Sequence, residues 1–345
     1  MDVRLSPEQQ ALRDATTHVV DRLGPKTVPG LDATERVGRL DAAVEESGWR
    51  ELRTAVVGGG PLASGVEVAL VAEELGRGVA DVAYLGPTLA AELRRLAGAP
   101  VAESPETVVL NHELTSLAVV TADGPPHGVA VDAAGSSHGL VLAGSGEGRR
   151  LARVALIPAR PGLDLTRPSS SPDPAAPATA VEGVVALSDD DLTSWLALGL
   201  AVACADLVGV MRGAVQLACD YATHRQQYRV AIGSFQAIQH ILADAHVATE
   251  GSRSVALHAA WAVDSLGPSE ALAAAALAKA YCARAARGVC ETAVQVHGGI
   301  GNTWECLAHV YLRRALLSSD LLGGAGTNLD RVLTHQGIGA VRGLR

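Results

Sequence analysis

Aromatic side chains make up only 3% of this 345-residue chain, and Phe235 is its one phenylalanine. Core volume must therefore come from Ala, Val, Leu and Gly. Five cysteines (Cys204, Cys219, Cys282, Cys290 and Cys306) form no C-x-x-C pair and follow no metal-ligand spacing. An odd, scattered set in apolar helical context reads as reduced core thiols of a cytoplasmic protein, with no metal site. A basic surplus is also missing: 28 Lys and Arg face 37 Asp and Glu, a net charge of −9. Nucleic acid needs a cationic footprint, so it is excluded as the main partner. The start, MDVRLSPEQQ, lacks the basic-then-apolar pattern of a secretory signal. The most apolar run, 195–219, is interrupted by Asp206 and Arg212 and reads as a buried helix, not a membrane span. What remains is 48% hydrophobic and 19% charged, an ordinary globular composition with room for two or three domains.

Three textures follow one another. Residues 1–104 are helical: Ser6-Pro7-Glu8-Gln9 and Ser64–Glu67 are capping boxes, each followed by an apolar stripe. A Gly-rich loop, Val57–Pro61, precedes the second box, and a further helix is expected over 87–98. Residues 105–190 alternate short β-rich runs with turn residues, predicting strands at 107–110, 117–121, 128–131, 139–142, 153–157 and 183–187. Such spacing suits a small sandwich or barrel, with the Pro/Ser tract 168–177 as an exposed loop. Residues 191–345 are helical again, with long elements at about 192–221, 234–266, 268–296 and 305–322. The expected class is α+β, mostly α: a helical domain, a shortened β domain and an antiparallel four-helix bundle.

Between the first two bundle helices lies YATHRQQYRVAIGSFQAIQ, 221–239, which gathers Arg225, Gln227, Tyr228 and Gln236 around a Gly–Ser pair. Ser234 is placed to cap the next helix. An arginine beside a helix N-terminus is an anion site in outline, because free N–H groups, the helix dipole and a guanidinium all favour phosphate oxygens. A polar surface corner would look the same. QVHGGIG, 295–301, ends the third bundle helix; its glycines serve either as a helix stop or as a close backbone approach for a ligand.

Taken together, the helical–β–helical order, the Arg225–Gln236 corner, QVHGGIG and the late GGAGTN (323–328) resemble the acyl-CoA dehydrogenase family. LSPEQQALRD and GVEVALVAEELGR near the start agree. The resemblance implies an oligomeric flavoenzyme that binds FAD between subunits and oxidises acyl-CoA thioesters to trans-2-enoyl-CoA. A carboxylate takes the α-proton and flavin N5 the β-hydride. By that resemblance Arg225 contacts the FAD pyrophosphate with Gln227 and Tyr228 beside it, and Gln236 reaches the adenosine half. Gln295, Gly298 and Gly299 line the same dinucleotide, and Thr327 and Asn328 form a further FAD-contacting turn.

The family's base is a glutamate in one of two positions. Here they hold Ala325 and Gly199, the latter 26 residues before Arg225. Asp206, two turns beyond Gly199, is the nearest acid; burial in an apolar helix raises a carboxyl pKa and makes a base. More often such an acid is a paired core residue. The family's T-E-x-x-x-G-S-D and W-I-T/S stretches are absent from the β domain, and Arg314 stands where the family has Asp. The donated half of an interfacial FAD site is kept and the home half is lost. The expectation is one subunit of a hetero-oligomeric, α2β2 acyl-CoA dehydrogenase, completing FAD sites whose base lies on a second acyl-CoA dehydrogenase-like subunit. Paired subunits of this kind serve actinobacterial steroid side-chain degradation, which suggests a bulky steroid-CoA as acyl-CoA substrate. The alternatives are a self-sufficient enzyme using Asp206 and a non-catalytic scaffold.

Overall fold

A computed structural model describes residues 4–56, 59–120, 126–144, 148–158, 160 and 162–338. Val57 and Gly58 of the expected Gly-rich loop, and Thr121 at the end of the second expected strand, lie outside the described residues.

Four helices open the chain: α1 (Pro7–Leu23), α2 (Thr34–Glu46), α3 (Gly65–Arg77) and α4 (Leu85–Leu96). Both expected capping boxes form. Ser6 Oγ accepts from Gln9 N–H at 3.2 Å while Gln9 Oε1 accepts from Ser6 N–H at 3.0 Å, and Ser64 and Glu67 repeat the exchange on α3. The two boxes also join each other, Gln9 Nε2 donating to Glu67 Oε1 at 2.8 Å. Two local start signals thereby fix the packing of α1 on α3.

The middle region holds β1 (Glu106–Leu110), β2 (Val119–Val120), β3 (Val129–Ala130), β4 (His138–Ala143), β5 (Arg150–Ala155) and β6 (Thr179–Ala180). They form one mixed sheet ordered β3-β1-β4-β5-β6, with β2 also on β4. Isolated bridges carry the pairing further: Leu156 meets Pro172, and Ala130 on β3 meets Ser170. The path β3-β1-β4-β5 thus returns to β3 through residues 170–172, so the sandwich-or-barrel expectation resolves as a small, imperfectly closed barrel. Two expectations change here. The start of the Pro/Ser tract is not an exposed loop, because Ser170 and Pro172 are buried closing the ring. Residues 183–187 form no strand; their N–H groups bond outward, Val185 to Ala97 O and Leu187 to Arg149 O. One sheet face (Val109, Val141, Ala152, Val154) has its own small core, and the other (Val108, Leu110, Leu140, Leu142, Leu151) joins the main one. With both faces covered, the strands read as apolar runs.

The C-terminal part comprises α5 (Asp189–His224), the hairpin β7 (Gln226–Gln227) and β8 (Val230–Ala231), α6 (Gln236–Ser265), α7 (Pro268–His297), α8 (Ala308–Asp320) and α9 (Ala325–His335). A third capping box, Ser188–Asp191, starts α5. α5 is the one described helix long and apolar enough to cross a membrane, but 89% of its apolar window is buried, as in a core helix. It packs against α3, α4, α6, α7 and α8. Contact with α3 is close because α5 presents glycine there: a Cβ on Gly209 would sit 1.9 Å from Glu73 O. Polar pins add specificity, with Trp195 Nε1 bonded to Leu89 O at 3.0 Å and Arg53 holding both Glu92 (2.9 Å) and Asp264 on α6 (3.0 Å).

Candidate functional site

Helices α5 and α7 end, and α6 begins, at the same end of the bundle. The Tyr221 ring stacks on the His297 ring with centroids 4.4 Å apart. This joins the arginine corner to the Gly–Gly cluster, 221–239 to 295–301. His297 is buried and its Nδ1 is 2.7 Å from Ala293 O, so Nδ1 carries the hydrogen and Nε2 is the free acceptor when the ring is neutral.

Arg225 is the C-cap of α5; its N–H bonds to Tyr221 O at 2.8 Å and its carbonyl accepts from Ile232 N–H at 2.8 Å. The side chains of Arg225, Gln227, Gln236 and Gln295 are exposed and make no hydrogen bond or ion pair among the described residues. Tyr228 and Arg229 are the two loop residues of the β7–β8 hairpin, with φ of 55° and 69°. Both lie in the left-handed region that such a two-residue turn demands, yet neither is Gly or Asn. The hairpin holds Tyr228 at 89% exposure, its ring edge-on to Phe235.

The expected Ser234 cap is not formed. Ser234 Oγ donates to Ala231 O at 2.7 Å, the N-cap is Phe235, and no side chain caps α6. At the start of α6 the Ile238 and Gln239 N–H groups bond to Phe235 O at 3.0 and 3.1 Å, and those of Gln236 and Ala237 have no acceptor among the described residues. Gly298 ends α7 at φ 64°, ψ −141°, a glycine conformation, and a Cβ on Gly298 or Gly299 would meet nothing within 4 Å. Gly298 ends the helix through that conformation, and both glycines face open space.

Thr327 and Asn328 are not part of this set. They belong to α9, which follows the Leu321–Gly324 loop. Lys279 Nζ clamps that loop, donating to Ser319 O (3.0 Å), Leu321 O (2.6 Å) and Gly323 O (3.1 Å). Lys279 lies 19 residues before Gly298 on α7, roughly 28 Å at the α-helical rise. Thr327 is exposed, but Asn328 is buried, its amide donating to Gly323 O and Gly324 O.

The positions that match the family's base hold no carboxylate and differ in space. Gly199 faces packed apolar groups: a Cβ there would lie 2.5 Å from Leu322 Cδ1 and 3.4 Å from Leu89 Cδ2. Ala325 is half-buried at the start of α9.

Asp206 is the paired core residue of the commoner expectation and not the base with a raised pKa. It is buried, with Oδ1 accepting from Arg314 Nε (3.0 Å) and Nη2 (2.6 Å), and Oδ2 from Ser318 Oγ (2.7 Å) and Arg167 Nη1 (3.3 Å). Burial pushes its carboxyl up, but the Arg167 and Arg314 charges outweigh that and hold it below its ordinary value. A base needs a free lone pair and affinity for a proton; Asp206 has neither. Sequence reasoning missed the cluster around it. Arg167 also binds Asp164 (2.8 Å), and Arg314 reaches Ala80 O (2.8 Å) and Thr166 Oγ1 (3.0 Å). The charges come from the β region, α5 and α8, and only the spare arginine at 314 hinted at them. Asp132 borders the cluster, raised by burial, with Oδ2 accepting from Tyr84 N–H at 2.7 Å and Oδ1 unpartnered.

Cavities of about 80 and 10 Å³ flank Arg167, against about 300–1,000 Å³ for a typical ligand pocket. The β1–β2 loop closes the side toward α9: Leu114 O accepts from Gly323 N–H (3.1 Å) and Thr115 O from Arg331 (3.0 Å).

The helical–β–helical order of the chain agrees with what comparison with known proteins shows. The chain belongs to the acyl-CoA dehydrogenase family, whose members are FAD-dependent oxidoreductases. The family model for the acyl-CoA dehydrogenase C-terminal domain matches residues 193–333. The chain is 31% identical over 333 residues to the acyl-CoA dehydrogenase IpdE2 of Mycobacterium tuberculosis, covering 91% of this chain and 93% of that one. Against IpdE2 of Mycolicibacterium smegmatis it is 32% identical, over 79% of each chain. In fold it resembles the crystal structure of the ChsE4-ChsE5 complex from M. tuberculosis, with TM-score 0.80, 24% identity and coverage of 98% and 99%. A Tcur3481-Tcur3483 steroid ACAD variant is alike too, with TM-score 0.79, 24% identity and coverage of 96% and 98%.

Proposed function

We propose that this chain is the FAD-completing subunit of a heteromeric α2β2 acyl-CoA dehydrogenase. It supplies the pyrophosphate and adenosine half of the flavin site, and a second acyl-CoA dehydrogenase-like subunit supplies the base and the cradle for the flavin ring. One contrast carries the reading: the bundle end is open with uncommitted donors, while the interior facing the β region is packed with ion pairs. Arg225 and the bare N-terminus of α6 suit a pyrophosphate, the guanidinium binding two oxygens and the helix N–H groups a third. Gln236 and Gln295 offer amides to adenosine, and Gly299 lets the backbone approach. Tyr228, held outward by the hairpin, shields the anion from water. When bound, FAD supplies the hydride acceptor for α,β-dehydrogenation; this chain's residues hold and orient it. The cavities of about 80 and 10 Å³ beside Arg167 are too small for a flavin ring, and neither family base position carries an acid. Two fold neighbours come from two-chain assemblies, which gives the architecture a precedent. The substrate class, a bulky acyl-CoA such as a steroid-CoA, rests on the sequence resemblance.

Co-expression with a neighbouring dehydrogenase-like chain, followed by FAD counting, tests this. About half an FAD per chain is expected, falling on Arg225→Ala. Robust acyl-CoA turnover by the purified single chain overturns it; unchanged FAD in the Arg225→Ala complex favours a scaffold instead.

A further inference from the structure

The hairpin after α5 carries a second arginine that the fold itself does not use. Gln226 pairs with Ala231 and Gln227 with Val230, so Tyr228 and Arg229 alone make the turn, with φ of 55° and 69°. Glycine, asparagine or aspartate suits such positions, because a Cβ in the left-handed region crowds the following carbonyl. Tyr228 gains an edge contact with Phe235, ring centroids 6.4 Å apart. Arg229 is exposed, and its guanidinium makes no hydrogen bond or ion pair among the described residues. A long side chain held in a disfavoured backbone conformation, with no partner in its own fold, points to a role outside that fold.

The surroundings select the chemistry. The chain carries a net charge of −9, yet no Asp or Glu occurs from Tyr221 to Ala243, a stretch that holds His224, Arg225, Arg229 and His240. None occurs from Thr292 to Trp304 either, the segment that the Tyr221–His297 stack brings to the same bundle end. Local charge is therefore positive on an otherwise acidic molecule, which draws anions. Arg225 and Arg229 stand at opposite ends of the hairpin. Arg225 O accepts from Ile232 N–H at 2.8 Å at its base, and Arg229 lies at its tip, about 10 Å further along at the strand rise. Two uncommitted guanidiniums on one hairpin match an anion with two charged centres, each gripped by paired N–H donors. A lone phosphate or carboxylate would leave one of them idle.

We infer that Arg229 is a second clamp on the FAD pyrophosphate, binding the flavin-side phosphate while Arg225 binds the adenosine-side one. The assignment rests on the flavin-completing role proposed above and adds to it a residue that the family resemblance did not supply. The order of the two phosphates follows the path of the cofactor on that reading. Adenosine is held at the bundle end, the ring lies with the partner, and Arg229 is further from the end of α5 than Arg225, its C-cap.

Glycine is the discriminating substitution, because it relieves the turn and removes the charge together. In the flavin-stripped co-expressed complex, Arg229→Gly is expected to weaken FAD binding about tenfold, read from the change in flavin fluorescence on titration. The urea midpoint of the full chain should stay unchanged or rise. ADP, a competitor that carries the second phosphate, should weaken as much as FAD, and AMP by less than about threefold. Arg229→Lys, which keeps the charge and loses the paired donors, should recover part of the loss. Undiminished FAD binding overturns the clamp. So does a loss accompanied by a lower urea midpoint, which marks a structural role, or a loss that Arg229→Lys does not recover, which marks hairpin flexibility. Equal weakening of ADP and AMP overturns the phosphate assignment. Weaker assembly with normal FAD affinity gives the cation to an ion pair with the partner chain and overturns it too. Arg225→Ala in parallel separates this from the flavin reading: FAD lost there but kept in Arg229→Gly leaves the flavin role standing, and FAD kept in both removes the two together.

Discussion

Changing Asp206 to alanine would leave the buried guanidiniums of Arg167 and Arg314 without the carboxylate they share, and Ser318 Oγ without its acceptor. Removing one partner of a buried ion pair costs about 3–5 kcal/mol, because the remaining charge stays out of water. Against a total stability of about 5–15 kcal/mol that is a large share. Asparagine keeps the shape and one acceptor but loses the charge, so it should fall in the lower part of the range. Urea unfolding followed by circular dichroism measures the loss, and FAD content and turnover of the co-expressed complex are read in parallel. Acid gives a second readout. Asp206 and Asp164 both sit below their ordinary value of 3.8, since neighbouring arginines outweigh the upward push of burial. A depressed carboxyl stabilises the fold above its unfolded pKa, and that contribution drains away as pH falls through the folded value. Below about pH 4 the wild type should therefore lose stability more steeply than Asp206→Asn. The reasoning is refuted if Asp206→Asn costs under about 1 kcal/mol and the complex keeps FAD yet stops turning over. That pattern belongs to a catalytic base.

Gly298→Ala should cost about 1–2 kcal/mol through its left-handed φ, whereas Gly299→Ala should leave the thermal midpoint within a degree or two and lower FAD retention; unchanged FAD would make the glycine pair only a helix stop. Gly199→Glu should destabilise by about 3 kcal/mol or more by forcing Leu322 and Leu89 apart, while Ala325→Glu, at a helix start that favours acids, should be tolerated; equal unfolding midpoints would contradict this. Lys279→Met strands three carbonyls and should cost about 3 kcal/mol or more. Burial lowers the Lys279 pKa from 10.5 to about 8. In that window the unfolded chain holds a proton that the folded one has released, so this group's contribution rises with pH; the stability gap between wild type and Lys279→Met should widen from pH 8 toward 10.5.

Local signals were legible and long-range ones were not. The boxes at Ser6 and Ser64 needed only four residues each, and both form. Ser234 carried the same kind of signal, but its hydroxyl found Ala231 O in the tight turn before α6, and the helix starts two residues later. The family resemblance made Thr327 and Asn328 part of a turn; Ala325 to His335 nonetheless wind into α9, held by Asn328 and Arg331. The Asp206 cluster joins residues separated by 39, 108 and 112 positions, which no periodicity reveals. The bundle-end constellation was readable because its members bracket helix ends, and helix ends leave marks in sequence. That Tyr221 and His297 would stack to bring the two brackets together was not.

The charge cluster around Asp206 also bears on how this chain could change over generations. Losing Asp206 strands the buried Arg314 and losing Arg167 strands the buried Asp164, so either single loss passes through an unpaired buried charge and a poorly folded intermediate. A self-sufficient ancestor-like site would need room for a ring and a base, hence several coordinated substitutions with no benefit at the first. On the reading proposed above, dependence on a partner then works as a ratchet: once the interior had closed around these ion pairs, selection could improve the contact with the other chain far more readily than it could restore independence.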